Sequence, residues 1–318
     1  MCLYMLFFGH KAYKRIKNRK FARKKYTMIL IADSGGSKTD WALVSLPTDT
    51  SKCVLKVRTQ GLNPFHQSED GILHALECEL NPIFQVMDLK GGCVHTKDDV
   101  IEQITKIFFY GAGCTSETSY VMRKALMKHF PKAEVEVDSD LLGAARALCG
   151  YEPGIACILG TGANSCLYDG KKITQNIPPL GYILGDEGSG AVLGKLFLNG
   201  IFKGSLSEDI KEKYLKWSGL TYPQIIDKVY RQPLANRFLA GISLFIKENL
   251  KYYELRDLVI YNFQCFFEKN VLCYSSDSIR TLSAVGGVAS AFEGELRACA
   301  EHFNYKIGKV IDAPIDGL

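Results

Sequence analysis

No run in this 318-residue chain approaches the roughly 20 apolar residues that a membrane-spanning helix needs; the longest candidate, Met1–Phe8, is far too short. The eleven cysteines form no C-x-x-C pair and no Cys/His group with zinc-site spacing, and the six histidines contain no H-x-x-x-H. Such cysteines fit a reducing cytoplasm, with thiols used mainly as small hydrophobes. A P-loop is missing too. Gly188–Leu196 carries glycines and Lys195, but the first-glycine spacing is wrong and Leu196 stands where Ser or Thr is required. No G-x-G-x-x-G follows a strand, which argues against a dinucleotide-binding enzyme, and no helix-turn-helix pattern is visible.

An excess of basic charge is also missing from most of the chain. The formal charge is +5, yet residues 1–27 hold nine Lys or Arg and no acid. The remaining 30 basic and 34 acidic side chains give a mildly acidic body of −4. That body calls for no nucleic-acid partner and no membrane. The leader can be read as a targeting peptide, although its charge follows its apolar run, which is the reverse of a secretory signal. It can also be a basic arm for nucleic acid or a membrane surface. The reading carried forward is that residues 1–27 stand outside the working protein, as disorder or one stray helix. Met28, directly before Ile29-Leu30-Ile31, is then the natural start.

What is present suits a soluble globular protein of two domains: 47% hydrophobic and 23% charged residues. Met28–Asp33, Ser34-Gly35-Gly36-Ser37 and Lys38–Ser45 read as strand, glycine-rich turn and strand. A strand is expected over Val54–Thr59, a helix over Gly71–Leu80 and another over Asp98–Lys106. Next come a buried strand over Ile107–Tyr110 ending in Gly111-Ala112-Gly113, a helix over Thr118–His129 and a strand over Val135–Val137. Leu141–Leu148 is a helix whose small residues suit close packing on a sheet. The hairpin theme then recurs roughly 125 residues on, as Ile155–Leu159, Gly160-Thr161-Gly162-Ala163-Asn164 and Ser165–Tyr168. Asp169-Gly170 signals a tight turn into Lys171–Ile173. The architecture is duplicated, with one hairpin opening each domain and the boundary near residue 138. Ser189–Asn270 reads as mostly helical, its core supplied by Trp217, Phe238, Phe245, Phe263, Phe266 and Phe267. Thr281–Val285 is a strand, and Val288–Phe303 a single amphipathic helix.

Chemistry concentrates at the turns. In Asp33–Thr39, Gly35 and Gly36 let backbone amides approach a phosphate, Ser37 and Thr39 offer hydroxyls, and Lys38 offers a cation. Asp33 can hold Mg²⁺ directly or through water. The plain alternative is an ordinary hairpin turn. Gly160-Thr161-Gly162-Ala163-Asn164 is weak alone but gains weight as a second copy, since two such tips can clamp a polyphosphate. Gly185-Asp186-Glu187-Gly188 ahead of a helix presents acids that can bind sugar hydroxyls or Mg²⁺, or simply cap the helix. Asp138-Ser139-Asp140 at a strand end suits a general base, with capping the alternative for Asp140. Gly286-Gly287 before a helix fits a flat platform for a nucleotide base or phosphate.

The order of these motifs resembles the actin/sugar-kinase/Hsp70 ATPase superfamily over residues 28–318. Leu159-Gly160-Thr161-Gly162-Ala163-Asn164-Ser165 and Leu184-Gly185-Asp186-Glu187-Gly188-Ser189-Gly190 resemble its N-acetylglucosamine kinase branch, which shares a family with the BadF/BadG/BcrA/BcrD-type ATPases. The resemblance implies an α/β fold of two ribonuclease-H-like (actin-like ATPase) domains, 28–138 and 139–318, the second with a helical insertion. ATP and Mg²⁺ are expected in the interdomain cleft. It implies Asp140 as the base, with Asp138 competing for the role. It places Asn63, Thr161, Gly162, Asn164 and Asp186 on the sugar, and Gly35, Gly36, Ser37, Lys38, Thr39, Gly160, Thr161, Gly286 and Gly287 on the nucleotide. The expected reaction is transfer of the ATP γ-phosphoryl group to the 6-hydroxyl of N-acetylglucosamine in the cytoplasm, by an enzyme that forms a homodimer. Two rivals stay open: an ATPase that activates a partner enzyme, and a catalytically silent sugar sensor. Cys157, Cys166, Cys265 and Cys273 lack the glycine-flanked context of the cluster-bearing activators. The chain stops at Gly317-Leu318, where a closing helix is expected.

Overall fold

Strand parity decides which side chains of the first sheet reach its core. In the computed structural model, which describes residues 27–36, 38–46, 52–85, 97–274 and 279–318, β1 (Thr27–Ser34) buries Met28, Leu30, Ala32 and Ser34 on one face. Ile29, Ile31 and Asp33 therefore face the other way. The expectations for residues 1–26 and for Ser37 lie outside the described residues. β2 (Lys38–Leu46) pairs antiparallel with β1, so that Trp41 lies opposite Ala32, Asp40 opposite Asp33 and Thr39 opposite Ser34. Thr39, Trp41 and Leu43 thus share the core face, while Lys38 and Asp40 share the face of Asp33.

β3 (Lys52–Gln60), β4 (Ile104–Gly111) and β5 (Glu134–Ser139) complete a five-stranded sheet in the order β3-β2-β1-β4-β5. The first three strands are antiparallel, and β1, β4 and β5 run parallel. Helices α1 (Glu69–Ala75), α2 (Asn81–Gln85), α3 (Lys97–Gln103) and α4 (Ser119–His129) lie by this sheet. Ile72, Phe84, Val100 and Met122 from them pack with Trp41 and Phe109 in one core.

α5 (Asp140–Cys149) leads into a second sheet of β6 (Pro153–Leu159), β7 (Ala163–Asp169), β8 (Ile173–Asn176), β9 (Thr281–Val285) and β10 (Lys306–Ile311). Its order, β8-β7-β6-β9-β10, with β6 to β8 antiparallel and β6, β9 and β10 parallel, repeats the first sheet strand for strand. The duplication read from two hairpins therefore extends to the whole of both sheets. α5 packs Leu141, Ala144, Ala145 and Leu148 on Ala156, Cys166, Tyr168 and Val285 of the second sheet. The other side of that sheet is covered by helices from the insertion: α6 (Gly181–Leu184), α7 (Gly190–Lys203), α8 (Glu208–Ser218), α9 (Tyr222–Tyr230), α10 (Ala235–Glu248) and α11 (Tyr253–Lys269). Phe245, Phe263, Phe266 and Phe267 are buried there, each worth about 1.5–3 kcal/mol of transfer free energy. Among the described residues no helix is long and apolar enough to cross a membrane.

Several expectations need correction. Trp217 is 48% exposed and Phe238 half-buried, so neither belongs to the fully buried core. The helix expected over residues 98–106 yields at Ile104, because β4 begins there to pair with Met28 of β1. The helix expected over Val288–Phe303 divides into α12 (Gly287–Ala291) and α13 (Glu293–His302), broken where buried Phe292 takes a non-helical backbone. β10 was not expected; Gly308 and two lysines dilute its strand signal.

Candidate active site

The ends of both sheets meet at a cavity of about 130 Å³, lined by Asp33, Gly35, Lys38, Asp140, Ile158, Val285, Gly286 and Pro314. Four of these were expected nucleotide or metal residues and Asp140 the expected base, and they come from segments more than 250 residues apart in sequence. Ile158, Val285 and Pro314 were not anticipated: an apolar residue in a strand carries no local mark of lining a site.

The tip of the first hairpin is closed by the Gly35 amide donating to the Lys38 carbonyl at 3.0 Å. The Lys38 ammonium lies 3.0 Å from Asp40 Oδ2 and is half exposed. Burial alone raises the Asp40 carboxyl, but Arg58, 2.6 Å away, and Lys38 hold it below the usual carboxylate range.

Thr39, expected on the nucleotide, faces elsewhere. It is fully buried on the core face, and its hydroxyl donates to the Gln60 carbonyl at 2.9 Å. The Ser34 hydroxyl, 2.7 Å from it, donates to the Leu62 carbonyl at 2.9 Å and accepts from the Leu62 amide at 3.0 Å. Strand parity explains the correction: Thr39 alternates with Lys38, so only one of the two reaches the cleft. The pair instead anchors Gly61-Leu62-Asn63.

Asn63 caps the turn that follows, its Oδ1 accepting from the Phe65 amide at 2.9 Å. It lies against Gly113, whose backbone has φ +76°; a Cβ there would stand 2.1 Å from Asn63 Oδ1. The glycines after β4 were visible in the sequence, but only the fold shows that one of them seats Asn63.

Register aligns one row across the first sheet, Arg58–Asp40–Asp33–Tyr110–Asp138. Asp138 is at its far end, beyond Tyr110, whose hydroxyl accepts from Arg146 Nη1 at 2.7 Å. Asp140, the first residue of α5, lines the cavity and Asp138 does not. Burial raises the Asp33 carboxyl to about 7, the charges of Asp140 and Asp40 add to this, and Lys38 opposes it. Burial also raises Asp140, against the Leu141 amide that donates to its Oδ1 at 2.9 Å. Asp33 and Asp140 are thus two hard oxygen donors on one cavity. Among the described residues no group of three His, Cys, Asp or Glu could cage a metal ion unaided.

At the second hairpin the Gly160 amide donates to the Gly162 carbonyl at 2.9 Å. The first turn of α7 is bonded to this tip: Gly190 N donates to Gly160 O at 2.8 Å, and Ala191 N to Thr161 O at 3.1 Å. Asp186, at φ 56°, places its carboxylate against Gly162, where a Cβ would stand 3.0 Å from Asp186 Oδ2. Burial raises the Asp186 carboxyl, the Ala163 amide opposes, and Glu187 adds to the rise. Asn164 Oδ1 accepts from the Ser165 amide and from Asn176 Nδ2, both at 2.9 Å. Glu187 pairs with Lys269 at 2.8 Å, a structural role. Thr161, Gly162, Asn164 and Asp186 therefore share one rim, distinct from the 130 Å³ cavity, and Gly286 joins the two because it abuts Leu159 and Gly160. Gly287, open to space, follows Gly286 at the start of α12.

No protein-family model matches the chain, and no curated protein matches it. Solved structures do. A candidate N-acetylglucosamine kinase from Porphyromonas gingivalis is 42% identical, with a TM-score of 0.81, over 91% of this chain and 96% of that one. A candidate N-acetylglucosamine kinase from Chromobacterium violaceum shares the fold at 16% identity and a TM-score of 0.63, over 92% and 98% of the two chains. With 42% identity over nearly the whole of both chains, this protein belongs to the N-acetylglucosamine-kinase-like family of two-domain, actin-like sugar kinases.

Proposed function

We propose that the protein transfers the γ-phosphoryl group of ATP to the 6-hydroxyl of N-acetylglucosamine. The observation that carries this reading is the cavity that gathers Asp33, Lys38, Asp140 and Gly286 where the two sheets meet. It has room for a phosphoryl group and its neighbours, whereas the sugar and the nucleoside extend beyond it. The similar P. gingivalis protein supports the choice of sugar. Domains are divided near residue 138, in keeping with α5 burying its apolar face on the second sheet.

The Gly35 and Gly36 backbone and the Lys38 ammonium hold the phosphates from the first domain, and Gly160, Thr161, Gly286 and Gly287 from the second. Asn63, Thr161, Gly162, Asn164 and Asp186 orient the sugar. Asp140 accepts the proton of the attacking hydroxyl while that oxygen bonds to the γ-phosphorus and the bond to the ADP oxygen breaks. Its raised carboxyl makes it a better base than an ordinary aspartate. Asp33 is suited to Mg²⁺, which takes one or two carboxylates plus phosphates and waters, and which supplies charge neutralisation when bound. Positioning and electrostatics account for most of the rate in such transfers.

The test is ADP release from Mg-ATP across a panel of small sugars. Release that depends on N-acetylglucosamine supports the proposal. Release without sugar points to a partner-driving ATPase, and binding of sugar without turnover to a sensor.

A further inference from the structure

Arg237, in the first turn of α10, spans the cleft: its Nη2 donates to the Gly36 carbonyl at 3.0 Å. α10 is locked to the body that carries the second hairpin. A Cβ on Gly194 of α7 would stand 2.0 Å from the Leu239 carbonyl oxygen, and one on Gly190 would stand 3.2 Å from Ala240 Cβ. The start of α7 is in turn bonded to the Gly160 and Thr161 carbonyls. Arg237 therefore rides with the second hairpin while its partner is the tip of the first.

Among the described residues, that tip has little else to fix it from outside. Nothing packs within 4 Å of where a Gly36 Cβ would be, and its internal tie is the Gly35–Lys38 bond. The Arg237 side chain is exposed, and its other guanidinium nitrogens have no hydrogen-bond partner among the described residues. They remain available at the mouth of the cleft, near the tip that carries Lys38. A planar guanidinium with donors to spare suits both a carbonyl and phosphate oxygens.

We infer that Arg237 is a positioning residue for the polyphosphate of the nucleotide. By tying the Gly36 tip to the body of the second hairpin, it sets the Gly35-Gly36 backbone and the Lys38 ammonium around the phosphates. The inference rests on the kinase reading above.

The experiment is calorimetric titration of Mg-ADP into the wild-type protein, Arg237→Ala and Arg237→Lys, with steady-state kinetics for both substrates. Arg237→Ala weakens Mg-ADP binding and raises KM for ATP by about 10-fold, the worth of one charge-assisted hydrogen bond. KM for the sugar stays within about twofold and the melting temperature is unchanged, because the side chain is exposed. Arg237→Lys, a cation able to reach the same carbonyl, recovers part of the loss. Equal Mg-ADP affinity in Arg237→Ala and wild type overturns the inference. So does a variant that loses melting temperature and both substrates alike, since that marks a merely structural contact. Wild-type protein that binds no Mg-ADP sinks the kinase reading and this inference together, whereas a nucleotide-binding wild type with an unaffected variant sinks this inference alone.

Discussion

Asp33 and Asp140 line one cavity from different elements, and after burial itself the Asp140 charge is the largest cause of the rise of Asp33 to about 7. Two carboxylates in one desolvated site cannot both ionise cheaply. A bound cation with its nucleotide would relieve the conflict, which is why the pair reads as a reacting centre.

Replacing the base should separate chemistry from binding. Asp140→Asn keeps the shape of the side chain but cannot accept the proton. Turnover should fall by about 100-fold or more, with Mg-ADP affinity nearly intact. Single-turnover kinetics alongside ADP titration decide it, and unchanged turnover moves the base role to Asp138.

The nucleotide-free protein should grow less stable as pH rises from about 4 to about 7. Asp33 has a raised pKa in the folded state, so there the folded protein holds a proton that the unfolded chain releases. Its stabilising contribution is complete below about pH 4 and lost by about pH 7, a span worth at most about 4 kcal/mol. Thermal melts at pH 5 and pH 8 should show the decline, and Asp33→Asn should flatten it. A slope that the variant leaves intact places its origin elsewhere.

Thr39→Val tests the reassignment of that hydroxyl. The part-buried Thr39–Gln60 bond is lost, and the buried Ser34 hydroxyl loses its neighbour. Denaturant unfolding should show a loss of about 1–3 kcal/mol. KM for ATP should stay within about twofold, since the hydroxyl never reaches the cleft. A selective rise in KM for ATP would return Thr39 to the nucleotide site.

Gly113→Ala should strike the sugar and spare the nucleotide. The new methyl group would overlap Asn63 Oδ1 in a backbone conformation that already disfavours a side chain. KM for the sugar should rise by about 10-fold or more while Mg-ADP affinity holds, as measured by initial rates and titration. An unaltered KM would detach Asn63 from the sugar.

Much of the fold could be read along the chain, because its signals are local. The Asp33–Thr39 and Gly160–Asn164 turns announced two hairpins, and β1, β2, β6 and β7 lie where alternation and glycine placed them. Weak elements were missed for equally local reasons: β10 is short and diluted by Gly308, and the α12–α13 break is set by burial of Phe292 rather than by a helix-breaking residue.

The candidate site divides in the same way. Residue type and spacing singled out Asp33, Lys38, Asp140, Asp186 and Gly286 as candidates, because each sits in a polar, glycine-rich or acidic turn or strand end. Which of them meet was decided by the tertiary structure alone. Asp33 and Gly286 are neighbours on one cavity because two copies of one sheet bring their ends together. Thr39 leaves the site because strand pairing commits its face to the core. Gly113 meets Asn63, and Arg237 meets Gly36, through contacts between residues far apart in the chain. Such contacts leave no trace in local composition, since a periodic pattern records only which face is buried and not what it is buried against.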